Sequence, residues 1–189
     1  MKLSLPSRLF LALAMTATVV CLPALAAEPL FKAGLWEINN KPAGAGGAQM
    51  QAMLAAAQQQ LGAMDPGQRA QVEALMSRNG VVIENGNVKA KVCVTPAMAA
   101  RQQLPVQQKG NCSARFSPAS GNTINYAVSC TSPAATSEGS ATFSSPTSYT
   151  ASTRINAADA GGATMTVDSN GRWLSADCGN IAPAELPSR

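Results

Sequence analysis

Hydrophobic and polar positions along the chain follow two different periods. In "LFKAGLWEINN" (30–40) short polar and apolar residues alternate around Trp36 and Ile38, which predicts a first strand. "PAGAGG" (42–47) interrupts it, and from Ala48 the period lengthens. Met50, Met53, Leu54, Ala57, Leu61 and Met64 recur at the three- and four-residue steps of one helix face, with Gln51, Gln58 and Gln59 largely off it. "DPGQ" (65–68) predicts a second helix start. Asp65 can cap it, Pro66 suits its first position, and Gln68 can reach back. This helix carries Val72, Leu75 and Met76 and stops at Asn79-Gly80. Residues 48–78 are therefore expected to form a helical hairpin set between strands.

The period then returns to two. In "NVKAKVCV" (87–94) Val88, Ala90, Val92 and Val94 share one face, while Lys89, Lys91 and Cys93 share the other. The pattern predicts a half-buried antiparallel strand with its cysteine on the wetter side. Thr95 and Pro96 open a short helix in "TPAMAARQQ" (95–103). Alternation resumes in "TINYAVSC" (123–130), "SEGSATF" (137–143), "SYTASTRI" (148–155), "ATMTVDS" (163–169) and "GRWLSADC" (171–178). "SSP" and "DAGG" between them are turn material. The fold expected is mainly β: a curved antiparallel sheet, or a partly open barrel or sandwich, with an inserted helical hairpin. Aromatic residues are few and the later strands are rich in Ser, Thr and Ala. The apolar core alone is then marginal, and disulfides are expected to reinforce it by about 2–4 kcal/mol each.

The N-terminus adds a processing expectation. Lys2 and Arg8 precede an apolar run from Leu9 to Val20, too short to span a bilayer, and "ALA" (24–26) follows. Residues 1–26 read as a signal peptide cleaved between Ala26 and Ala27, leaving 27–189 as a single domain in the periplasm or outside the cell. Cys21 follows Val20 rather than a small residue, so it reads as discarded with the signal and not as a lipid-attachment site. Of fourteen Lys and Arg, two lie in this segment, leaving twelve against ten Asp and Glu. A balance of +2 argues for neither nucleic acid nor an anionic membrane surface. No later stretch is apolar enough to cross a membrane.

Cys93, Cys112, Cys130 and Cys178 remain, an even set that reads as two disulfides in an exported chain. Four cysteines allow three connectivities. Neighbour pairing is the expectation: Cys93–Cys112 across the short helix, and Cys130–Cys178 tying the last strand to the middle of the sheet.

Histidine is absent, which excludes a Ser-His-Asp or Cys-His site and a His-ligated metal. No G-x-S-x-G, P-loop or G-x-G-x-x-G occurs. Glu37 and Asp177 are the candidate acid–base pair if two carboxylates meet in space, although solvated or turn positions explain both. Met50, Met53, Met64 and Met76 carry thioether sulfurs suited to Cu(I), but the same spacing suits core packing.

The order "GLWEI" (34–38), "KVCVTPAMA" (91–99), Cys112, Cys130 and "GRWLSADCG" (171–179) resembles the domain-of-unknown-function 3617 family of small exported bacterial proteins. The likeness covers most of residues 27–189, and the hairpin departs from the usual shorter segment. It implies an envelope location and a disulfide-bonded β domain, and it carries no activity and no catalytic residues.

The expectation for function is a non-enzymatic binding or envelope-accessory module without cofactor, holding an apolar or lipid-like molecule. Trp36, Trp173, Met50, Met53, Leu54 and Met76 are the candidate contacts, with the hairpin as a lid on the sheet. A methionine-based Cu(I)-binding protein is the alternative and an enzyme the third reading.

Overall fold

The alternating segment around Trp36 forms β1 (Gly34–Ala43), and its two neighbours in space are the third and the last strands of the chain. The structure is a computed structural model and describes residues 29–84, 86–105, 111–132, 134–157 and 164–184. The predicted signal peptide and its cleavage site lie outside those residues. The further strands are β2 (Val81–Glu84), β3 (Asn87–Val94), β4 (Cys112–Phe116), β5 (Thr123–Thr131), β6 (Ala134–Ser145), β7 (Ser148–Ala157) and β8 (Thr164–Ser175). They build one open eight-stranded sheet in the order β2-β3-β1-β8-β7-β6-β5-β4, with every pairing antiparallel. The helices are α1 (Gly44–Ala63), α2 (Pro66–Arg78) and α3 (Pro96–Ala100).

Register explains the core. Trp36 stands opposite Val92 on β3 and Trp173 on β8. Tyr149 stands opposite Gly171 and Phe143, and Ala141 opposite Ile124. Because side chains alternate strictly, these residues share one apolar face. The opposite face carries Glu37, Lys89, Lys91, Asp168 and Arg172 among Ser, Thr and Asn. At one end of the apolar face the core closes over Phe31, Trp36, Val94, Met98, Leu104, Ile124 and Phe143. Phe31 stacks on Phe143 with centroids 4.9 Å apart, and Tyr149 leans on Phe143 at 5.3 Å and on Trp36 at 5.6 Å. Met98 reaches this core from α3, whose first turn is set by Thr95: its Oγ1 accepts the Met98 N–H at 3.2 Å.

β8 merges two segments that read separately in the sequence, because Gly171 hides its place in the strand. A Cβ there would sit 1.9 Å from Tyr149 Cε1, so the tyrosine ring occupies the space a side chain would take. β2 and β4, the two edges, are short strands without a clear period in the sequence.

The helical hairpin forms, with two local differences. β1 continues to Ala43 and α1 starts at Gly44, earlier than the periodic run; Gly44 sits at φ +76°, a turn that glycine supplies without strain. Asp65 precedes α2 but its side chain makes no capping hydrogen bond.

Both expected disulfides are corrected. The bonds are Cys93–Cys178 and Cys112–Cys130. Cys112 and Cys130 face each other directly across β4 and β5, and the flanking Thr131 N–H donates to Asn111 O at 3.0 Å. That makes 111/131 the hydrogen-bonded pair and 112/130 the narrow one, where a bridge fits. Cys93 does lie on the face away from Val92, yet it is buried. The segment after β8 covers it: Pro183 pairs beside Cys93 and the Ala184 N–H donates to Cys93 O at 2.9 Å. β2 ends its pairing at Ala90, so this returning segment takes the stretch of β3 margin that β2 leaves open.

Candidate functional site

The hairpin buries few of its residues fully. Within α1 only Gly47 is buried, pressed on Pro42, and α2 buries no residue. Two glutamines about two helical turns apart dock α1 on the sheet: Gln51 Nε2 donates to Pro42 O at 2.7 Å and Gln58 Nε2 to Ile83 O at 2.9 Å. The second contact satisfies an edge. The Lys91 N–H donates to Gly80 O, so ladder alternation turns the backbone groups of Val81 and Ile83 away from β3. The Gln58 amide fills one of these outward acceptors.

Between the hairpin and β2 runs a groove of about 620 Å³. Leu61, Met76, Val81, Val82 and Ile83 form its apolar lining, and Gln58, Arg69, Glu73 and Ser77 its polar one. Val82 is 50% exposed, and beyond the groove Met53 and Leu75 are each 60% exposed. The volume falls in the range of small-molecule sites, which are typically about 300–1,000 Å³.

The sequence-predicted contacts separate into two places. Trp36 and Trp173 belong to the core: Trp36 is 2% exposed, and the two indoles donate to Lys32 O at 2.9 Å and Ala33 O at 3.0 Å. Of Met50, Met53, Leu54 and Met76, only Met76 lines the groove; Met50 and Leu54 are half-buried on α1 and Met53 faces outward. Met64, the fourth thioether of the copper alternative, is 38% exposed. The hairpin therefore does not close over the tryptophans, and the groove lies at the β2 margin instead. Sequence reading missed Arg69, Glu73 and Val81–Ile83. The signal available was "VVIE", an apolar run directly after the Asn79-Gly80 stop.

The carboxylates Glu37 and Asp177 do not form a pair. Glu37 Oε1 accepts from Arg172 Nη2 at 2.9 Å on the polar face, and Asp177 Oδ1 accepts the Gly179 N–H at 2.9 Å in an exposed turn. On the same polar face Lys89 hydrogen-bonds Glu84, which raises the lysine and lowers the glutamate from their ordinary values. Among the described residues no three His, Cys, Asp or Glu side chains converge on a point where a metal ion could sit.

Residues 31–178 match the family described as "Protein of unknown function (DUF3617)". The chain belongs to the DUF3617 family. The match opens at Phe31, the first core aromatic, and closes at Cys178, partner of Cys93, so hairpin, groove and both bridges fall inside the DUF3617 region. A Pseudomonas putida protein, "Uncharacterized protein in lpd-3 5'region", is 32% identical over 144 residues, which is 76% of this chain and 93% of that protein. No solved structure matches the chain. The two disulfides of this DUF3617 protein fit an oxidising, non-cytoplasmic compartment. No helix among the described residues is long and apolar enough to cross a membrane.

Proposed function

We propose that this DUF3617 protein is a non-enzymatic binding module of the bacterial envelope, exported by the N-terminal signal and cleaved near Ala26, and that it holds an apolar or lipid-like molecule between its hairpin and β2. The observation that carries the reading is the groove of about 620 Å³ with Leu61, Met76 and the half-exposed Val82 along it. Large apolar side chains left uncovered beside a groove mark a surface that is used. The thioether of Met76 beside Leu61 also suits a wall that adapts to its contents. The hairpin contributes little to the core, so it is free to serve binding.

A variant in which a flexible Gly-Ser linker replaces residues 48–78 tests this. The full chain should bind a fluorescent apolar dye and yield a bound amphiphile in native mass spectra. The variant should keep both disulfides and lose the dye. A folded variant with unchanged dye binding sinks the reading. Stoichiometric copper in the native spectrum would support the methionine alternative, and turnover in a substrate panel an enzyme.

A further inference from the structure

Taking the groove as the binding site, we infer that its ligand is a zwitterionic amphiphile: an acyl chain lies along Leu61, Met76 and Val82, and a head carrying both a phosphate and an ammonium group lies against Arg69 and Glu73.

The charges decide the head. Arg69 and Glu73 are the two ionic residues of the lining, of opposite sign and one turn apart on α2. Their mutual contact is loose, a single Nε–Oε1 approach of 3.9 Å, with side chains 42% and 63% exposed. Arginine preceding glutamate is also the poorer order for an ion pair one turn apart on a helix. An exposed pair of this kind adds little to stability. Among the described residues neither side chain has another side-chain partner, so most of the guanidinium N–H groups and the carboxylate lone pairs stay available.

Each group selects a different part of a head. The planar guanidinium fork matches a phosphate through two parallel hydrogen bonds. The neighbouring carboxylate accepts from an ammonium and repels a second negative charge. A head with both signs is matched twice; a purely anionic head gains from Arg69 and loses to Glu73; an uncharged head gains from neither. Gln58 and Ser77 add an amide and a hydroxyl for the ester and glycerol oxygens between head and chain.

The test uses the full chain and three single-chain lipids of equal acyl length below their micelle concentrations. One has a phosphoethanolamine head, one a phosphoglycerol head, and one is a monoacylglycerol. Calorimetric titration should place the phosphoethanolamine lipid about tenfold tighter than the other two, the effect of one charge-assisted contact. Glu73→Gln should weaken that lipid several-fold and tighten the phosphoglycerol lipid. Arg69→Gln should weaken both phospholipids and leave the monoacylglycerol unchanged. Both side chains are exposed, and circular dichroism should show that each variant stays folded. Equal affinity for all three lipids, or a Glu73→Gln shift of both phospholipids in one direction, overturns the head-group inference while leaving the groove as a binding site. Binding of none of the three, the monoacylglycerol included, overturns the binding reading itself.

Discussion

Trp36 and Trp173 face each other across β1 and β8, and their indole N–H groups donate to the consecutive carbonyls of Lys32 and Ala33. Lys32 also places its Nζ 5.1 Å from the centre of the Trp173 ring. The first described residues are thereby fastened to the last strand. The two rings differ in burial, and that predicts unequal costs. Trp36→Ala should cost about 3–5 kcal/mol, the range for a large aromatic removed from a core. Trp173→Phe keeps much of its packing, loses one hydrogen bond and weakens the cation–π contact, about 1–2 kcal/mol. Urea unfolding of both variants measures the difference, and equal costs would place both rings in the same environment.

Gly171 and Tyr149 form a matched pair. Gly171→Ala puts a methyl group inside the tyrosine ring, so ring or strand must move, at about 1–3 kcal/mol. Tyr149→Ala alone should cost about 3–5 kcal/mol for the lost aromatic. In the double variant the alanine methyl no longer meets a ring, and the combined loss should fall short of the sum by about 1 kcal/mol or more. A double-mutant cycle followed by thermal unfolding reads this coupling; strict additivity would show that the ring does not occupy the glycine's space.

Removing the two disulfides should have different consequences. The Cys93–Cys178 bond spans a sequence separation of 85 and Cys112–Cys130 one of 18. On the chain-entropy account these closures contribute about 4–5 and about 3 kcal/mol. Ala replacements at 93 and 178 should also free the returning segment around Pro183 for early proteolysis, whereas replacements at 112 and 130 should loosen the β4 edge. Non-reducing peptide mapping should recover Cys93 joined to Cys178.

The pH response should be flat through neutrality and steep in alkali. With no histidine, no side chain titrates near pH 6.5 at its ordinary value. Burial among Phe143 and Trp36 pushes the Tyr149 hydroxyl upward; burial also raises Tyr126, partly offset by its 2.5 Å hydrogen bond with Thr153 Oγ1. An unfolded phenol titrates near 10.0. Below that value both states hold their protons and the stability is fully present. Above it the unfolded chain ionises first, so stability falls as pH rises toward the folded-state values. The melting temperature should hold steady from about pH 6 to 9 and drop beyond about 10, and Tyr149→Phe should make the alkaline drop shallower.

What the sequence makes legible here follows from how local each signal is. The hairpin and α3 are local: a 3.6-residue stripe, Pro66, Thr95 and Pro96, and the Asn79-Gly80 stop are written within a few residues of where they act. The faces of β3, β5 and β7 are equally local, being a matter of parity. Disulfide pairing depends on register and strand order, and neither is local. Cys93 pairs with Cys178 because the chain returns along β3, a path that no spacing between cysteines encodes. Gly171 misleads for the same reason, since the ring that fills its place comes from another strand. The groove was missed where two short signals had to be joined, the polar side of α2 with Arg69 and Glu73, and "VVIE". Neither has meaning until the hairpin is set beside the edge.

The placement of β1 between β3 and β8 also governs how the molecule can assemble. The strands β4 to β7 follow one another as neighbours and can pair as each emerges. β1, by contrast, must wait for β8, whose partner residues lie more than a hundred positions later, as with Trp36 and Trp173. The central seam of the sheet is therefore the most remote contact in sequence, and chains dominated by such contacts fold in milliseconds to seconds rather than microseconds. Until that seam closes, β1, even when paired with β3, keeps one unpaired edge. A chain that assembles in this order gains from being kept apart from its neighbours until the last strand is made, and its yield should depend on that separation.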